Sequence, residues 1–247
     1  MIRRAACFAV FLSAAPTAHA ASTFAFIGTA KAVNQQNVLY EELHRVTGAC
    51  TNAGFEPAAH TVEYQKGPDN GRFAFKTLQY DEDPRRPSVD FRQPDFGERL
   101  EIRYPDSNYL TIDWQPPSDS RRSFRVRYDN RLVVDAGFDH FVRANWPAVK
   151  AGESLSFQFL APTRGDHYGF VLEPAPAAKM DADVVVQIRP TSLVLRFLVD
   201  PIILGYNQSG ALTHYQGLTN IRANGDTNYT ADIRYRIIQY PDCDLTF

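Results

Sequence analysis

Over most of this chain apolar and polar residues alternate one for one, which is the period of a half-buried strand. The clearest run is near the end of the sequence. Tyr229, Ala231, Ile233, Tyr235 and Ile237 alternate there with Thr230, Asp232, Arg234 and Arg236, so one face is buried and the other wet. Upstream, Ile202–Tyr206 and 211–216 flank Asn207-Gln208-Ser209-Gly210 as a hairpin. Val62 and Tyr64 precede Gly67-Pro68-Asp69-Asn70-Gly71, and Phe73 and Phe75 resume the alternation after it. Leu100, Ile102 and Tyr104 lead into Pro105-Asp106-Ser107-Asn108, and Leu110, Ile112 and Trp114 follow. Turn residues that tolerate tight backbone, set between period-two runs, write hairpins. Phe124, Val126 and Tyr128, then Leu155, Phe157 and Phe159, then Val184, Val186 and Ile188 repeat the pattern.

One segment changes period. Between Asp135 and Lys150, Phe138, Phe141, Val142 and Trp146 fall at helical spacing, with Gly152 placed to end the helix. Pro147 lies inside it and predicts a bend or restart, because proline lacks the amide donor. Residues 192–199 are ambiguous: their β-branched side chains favour a strand, while Ser192 as a cap permits a short helix. The expected fold is mainly β with a minor helical part. It is a strongly curved antiparallel sheet or open β-barrel of roughly ten strands, with one main helix over about 137–150 on its concave side.

The N-terminus belongs to a different class of segment. Met1-Ile2-Arg3-Arg4 is basic, 5–15 is apolar, and Ala18-His19-Ala20 has the A-x-A form of a cleavage site. This order is that of a secretory signal peptide, 1–20, cleaved after Ala20. The apolar run is too short to span a bilayer, which takes about 20 residues, and Cys7 is not placed for lipidation. The remaining chain, 21–247, reads as one β-rich domain, periplasmic or secreted, with no transmembrane segment. Export also changes the meaning of the cysteines. With Cys7 removed, Cys50 and Cys243 are expected to form one disulfide in an oxidising compartment, two unpaired thiols being the alternative.

Composition adds little beyond this. The 17 Phe and 12 Tyr against two Met suit strands. A net charge of −2 without a basic cluster argues against nucleic-acid binding. Catalytic patterns are sparse. Gly152-Glu153-Ser154-Leu155-Ser156 lacks the last glycine of a hydrolase elbow and stands in a helix-to-strand context. His44, His60, His140, His167 and His214 are scattered, with no spacing that brings two imidazoles to one ion within a segment, so no metal site and no cofactor are expected. Asp139-His140 at the helix start is the polar pair with most chemical promise. The carboxylate complements the helix dipole and the imidazole is a candidate general base; alternatively, Asp139 only stabilises the first turn and His140 faces solvent.

The strand aromatics are the other candidates. Phe73, Phe75, Trp114, Phe124, Phe157 and Phe159 are read either as core or as the lining of an apolar ligand cavity, because a curved sheet of many strands encloses more volume than one helix fills.

Two resemblances bear on these readings. Asp200-Pro201-Ile202, Tyr215-Gln216-Gly217-Leu218-Thr219-Asn220, the strand from Tyr229, and the segment from Asp135 to Arg143 resemble a family of exported bacterial β-rich proteins without assigned function. The succession of strands with one helix is similar in architecture to the periplasmic lipoprotein carriers of the LolA/LolB type, which implies an unclosed barrel with a cavity for acyl chains. No residue motif of those carriers transfers. The expected function is therefore an exported protein that binds a lipid or other apolar ligand, or helps handle an envelope component, with a lipid or lipidated protein as partner. An exported hydrolase and a structural or assembly partner in the envelope are the alternatives. The sequence does not specify an oligomeric state.

Overall fold

The computed structural model describes residues 21–67, 71–175, 180–196 and 200–246. The proposed signal peptide and part of the turn at 67–71 lie outside them. The first half of the chain is a meander of eight strands: β1 (Ala21–Ala32), β2 (Val38–Thr51), β3 (Gly54–Gln65), β4 (Arg72–Gln79), β5 (Ser88–Gln93), β6 (Glu98–Arg103), β7 (Tyr109–Gln115) and β8 (Arg122–Arg127). The second half begins with the two-residue β9 (Leu132–Val133), α1 (Gly137–Ala144) and α2 (Trp146–Lys150). It continues through β10 (Leu155–Ala161), β11 (Asp166–Pro174), β12 (Val184–Pro190), the single turn α3 (Leu193–Arg196), β13 (Ile202–Tyr206), β14 (Leu212–Arg222) and β15 (Asn228–Gln239).

All of these strands belong to one 15-stranded sheet, and β1 pairs with β15 in the middle of it. Sequence neighbours are sheet neighbours everywhere else, except that β8 and β9 are its two edges. Every pairing is antiparallel apart from β9 with β10. The sheet curves until its two halves meet. Arg222 of β14 reaches Glu98 of β6 with two hydrogen bonds of 2.7 and 2.8 Å, and Gln93 Oε1 accepts from the Arg222 amide at 3.0 Å. Near the edges, His167 Nε2 donates to the Arg127 carbonyl at 3.1 Å.

The strand count exceeds the expected ten, for local reasons. β1 presents Phe24 and Phe26 inward but then Gly28 and Ala30, so its apolar signal fades after two residues. β11 is intermediate in burial along most of its length, which erases the contrast between its faces. β9 is too short to show any period, and Val89 and Phe91, which form the buried face of β5, stand in a stretch rich in charge and proline.

The single helix expected over 137–150 is two. The break falls at Asn145, whose φ of −114° and ψ of 23° are not helical, and Pro147 occupies the first turn of α2, where no amide donor is required. Of the ambiguous segment, 193–196 form the turn of α3 and 197–199 lie outside the described residues.

Burial follows the alternation. One apolar cluster fills the first half of the sheet around Leu78, Val89, Ile102, Leu110 and Ile112. A second packs Phe141, Val142, Trp146 and Val149 of the helices against Phe157, Leu172, Leu204 and Tyr206. A third, with Phe24, Phe55 and Leu245, surrounds the Cys50–Cys243 disulfide, which joins β2 to the segment after β15 across the β1–β15 pair. The outer face of β5 to β8 carries Asp90, Arg92, Arg99, Glu101, Arg103 and Arg125 in exposed pairs. Such pairs contribute little to stability, but a charged edge strand discourages pairing with other chains. Among the described residues no helix is long and apolar enough to cross a membrane.

Candidate functional site

Between the two halves of the sheet the core does not close. A cavity of about 210 Å³ remains, walled by β1 to β4, β6, β10 and β12 to β15, with the start of α1 on one side. The helix therefore stands on the concave side of the sheet. Leu218, 57% exposed, and the exposed Asn220 both line the cavity and mark where it meets solvent.

Strand alternation places the polar groups of this cavity. On β2, Tyr40, Glu42 and His44 share the inner face; on β3, His60, Val62 and Tyr64 do. Because Val46 pairs with His60 and His44 with Val62, the two histidines are diagonal neighbours. Their rings join through His44 Nδ1 and His60 Nε2, 2.9 Å apart. His44 Nε2 lies 2.9 Å from Glu42 Oε2, and the Tyr235 hydroxyl donates to the same oxygen at 3.0 Å. The Tyr80 hydroxyl lies 3.4 Å from His60 Nδ1. Burial pushes the His60 pKa well down, with the neighbouring His44 acting in the same direction, so His60 is neutral. One carboxylate oxygen of Glu42 accepts from both His44 Nε2 and the Tyr235 hydroxyl. Tyr80, His60, His44, Glu42 and Tyr235 thus form one connected hydrogen-bond chain. Phe26 stacks on His44 with ring centres 4.3 Å apart, and Tyr235 meets both rings edge-on.

A second polar group lies one strand further along the same wall. Lys76 points inward from β4, and its ammonium lies 2.9 and 3.0 Å from the two oxygens of Asp135. Asp135 also accepts from Asn220 Nδ2 at 3.0 Å and from the Ala136 amide at 2.7 Å. Its φ of 47° is in the left-handed region, which aspartate enters more readily than most residues.

Asp139 and His140 are both in the interior. Asp139 lines the cavity and pairs with Arg143 at 2.5 Å; burial raises its pKa, with Arg143 opposing. The Arg143 guanidinium also donates to the Gly210 carbonyl at 3.0 Å and lies over the Phe24 ring. His140 does not face solvent. It is buried edge-on against Tyr80, and desolvation lowers its pKa to about 3. An imidazole so hard to protonate is a poor general base near neutrality. Among the described residues that line the cavity, Thr219 is the one Ser, Thr or Cys, and its Oγ1 accepts from the Ile221 amide at 3.3 Å.

Of the six aromatics singled out from the sequence, Phe159 lines the cavity. Phe73 is buried against Tyr40 and Tyr64. Phe75 is on the opposite face of β4 from Lys76, beneath the Arg72 guanidinium. The β3–β4 register slips at Tyr64/Gln65, opposite Ala74 and Arg72, which makes Phe73 the extra residue of a bulge and puts Phe73 and Phe75 on different faces. Trp114 is in the core of the first half, with its indole donating to Glu98 at 3.0 Å. Phe124 packs on Gly165 near the sheet edge, and Phe157 packs on Phe141 with ring centres 4.9 Å apart.

Apart from Asp139, the polar residues of the cavity were missed by sequence reasoning. Motif searches look for ligands close in one segment, whereas His44 and His60 are joined by strand pairing. The available signal was Glu42-x-His44, two polar side chains in the inward register of a strand. Among the described residues, no group of three or more His, Cys, Asp or Glu is arranged to hold a metal ion.

No family model matches the chain, and no curated protein matches it. Among solved structures it is similar to a β-barrel-like protein from Brucella abortus, assigned to a domain of unknown function called DUF1849. That protein is 9% identical, the match covers 90% of this chain and 96% of the other, and the TM-score is 0.35. The likeness to the LolA/LolB-type carriers rests on the sequence reading alone.

Proposed function

We propose that this chain is an exported binding protein whose barrel interior takes up a small, mainly apolar ligand bearing one polar group. The observation that carries this reading is the cavity itself: an apolar chamber with a few convergent polar groups on one wall and an edge open to solvent. Its size defines the ligand. At about 210 Å³ it exceeds the roughly 150 Å³ of an apolar cavity that accepts benzene. It falls below the roughly 300–1,000 Å³ of sites for drug-sized molecules. A single ring or short chain fits; the several acyl chains of a lipoprotein anchor do not. The exported location is supported by the leader-like 1–20 and by a disulfide between Cys50 and Cys243.

Titration of the purified protein with 2-phenylethanol, followed by NMR, tests the binding reading. Saturable shifts confined to residues such as Phe26, Ile188, Ile202 and Tyr215 are expected, and Ile188→Phe, which fills the chamber, should weaken them. Absence of saturable shifts up to the solubility limit rejects it. For the location, N-terminal sequencing of protein from the periplasmic fraction should begin at Ala21; a chain retaining 1–20 rejects export by cleavage.

A further inference from the structure

We infer that the cavity discriminates by head-group charge, accepting an apolar ligand with a protonated amine and rejecting the matching carboxylate. The inference rests on the binding reading above and deepens it.

Among the described residues, the wall of the cavity carries three carboxyl groups, Glu42, Asp135 and Asp139, against one ammonium, Lys76. The cationic groups are already engaged. Lys76 is held by both oxygens of Asp135, and Arg143, behind the wall, by Asp139 and the Gly210 carbonyl. Glu42 differs from the other two carboxyl groups. It is 6% exposed and is held by the Tyr235 hydroxyl and His44, neither of them a lysine or arginine. A buried carboxylate held by a hydroxyl and an imidazole, with no lysine or arginine on it, gains from an incoming cation, because the low-dielectric surroundings strengthen the attraction. The rings beside it act in the same sense. Phe26, Tyr64 and Tyr235 line the same cavity, and aromatic faces attract ammonium groups when water is excluded.

An anionic head meets the reverse situation. It would have to displace Asp135 from Lys76 or draw a proton onto the His44–His60 pair. His60 resists protonation through burial and through its neighbour. The remaining titratable groups on the wall, Tyr64, Tyr215 and Tyr235, have pKa values raised by burial and stay neutral. They can donate a hydrogen bond, but no positive charge is available from them.

The test compares three ligands of equal carbon number at pH 7.5: 2-phenylethylamine, 2-phenylethanol and phenylacetate. Dissociation constants are measured by NMR titration on the wild-type chain, on Glu42→Gln and on Tyr235→Phe, with circular dichroism to verify that each variant is folded. The amine should bind at least about tenfold more tightly than phenylacetate, as like-charge placement in a desolvated site predicts. Glu42→Gln should lose most of that preference, while Tyr235→Phe, which leaves the carboxylate in place, should keep it. Phenylacetate binding as tightly as the amine, or a preference unchanged in Glu42→Gln, overturns the inference. If 2-phenylethanol binds and the amine gains nothing over phenylacetate, the charge discrimination fails while the binding reading stands. If none of the three binds, both fall.

Discussion

His44 Nδ1 lies 2.9 Å from His60 Nε2, in a hydrogen bond across the diagonal of the β2–β3 pair. One imidazole accepts there while the other donates. The wider interior holds buried groups that respond to acid.

His60 and His140 are both kept neutral by burial, with the His140 pKa near 3 against an ordinary value of 6.5. In the unfolded chain each titrates near 6.5, so below that pH the unfolded state binds more protons. Stability is full above about pH 6.5 and is lost as the pH falls toward the folded-state values. Between pH 7 and pH 5 His140 lowers stability by about 2 kcal/mol, and His60 acts in the same direction. Asp139, whose pKa is raised, acts in the opposite sense and offsets part of the loss. Urea unfolding at the two pH values should show the drop, and His140→Phe should flatten it. An unchanged slope in that variant would count against the assignment.

The disulfide spans a sequence separation of 193. Loop-closure entropy for such a length sets an upper figure of about 5 kcal/mol. Cys50→Ala, or reduction of the wild type, is expected to lower the thermal midpoint by about 10 °C or more. A midpoint that is insensitive to reductant would show that the bond constrains the unfolded chain very little.

Arg222, Glu98 and Trp114 form a tie between the two halves of the sheet, with Glu98 taking Arg222 on both oxygens and the Trp114 indole on one. The pair is largely buried. Arg222→Ala should cost about 3–5 kcal/mol, because it leaves the Glu98 charge without its counter-ion. Replacing both partners, Glu98→Leu with Arg222→Met, should recover most of the loss. Chemical denaturation of the three variants reads the difference directly, and a double variant no better than Arg222→Ala would contradict it.

Gly28 lies beneath the Tyr235 ring. A Cβ there would stand 2.6 Å from the ring, too close without movement of the tyrosine that holds Glu42. Gly28→Ala is expected to destabilise the fold by about 1–3 kcal/mol through overpacking. Adding Tyr235→Leu should relieve the crowding. Equal stability of Gly28→Ala and wild type in urea would show that the ring moves freely.

The sequence made the sheet legible wherever polarity contrast was strong. β15 and β7 read directly from their side chains, the helical segment was located with its interruption at Asn145, two residues before the expected Pro147, and the Cys50–Cys243 bond formed as expected. Strands lacking that contrast did not read. β1 turns to small residues where Tyr235 needs room, and β11 is half-buried on both faces. The candidate site was hidden for another reason. Its acid–base chain joins Glu42, His44, His60, Tyr80 and Tyr235, and strand pairing, not local spacing, brings those residues together. A single bulge at Phe73 was enough to send Phe75 to the other face.

The β1–β15 pairing makes the sheet two local meanders joined by one long-range seam. Each meander can assemble from neighbouring hairpins, while the seam requires closure over nearly the whole chain and is the slow, high-contact-order step. A molecule with the seam open presents two half-sheets, each with one newly bared edge, and the edges of a second copy match them. The Cys50–Cys243 bond straddles that seam. Oxidation thus keeps both halves of one molecule within reach of each other and disfavours strand exchange between molecules.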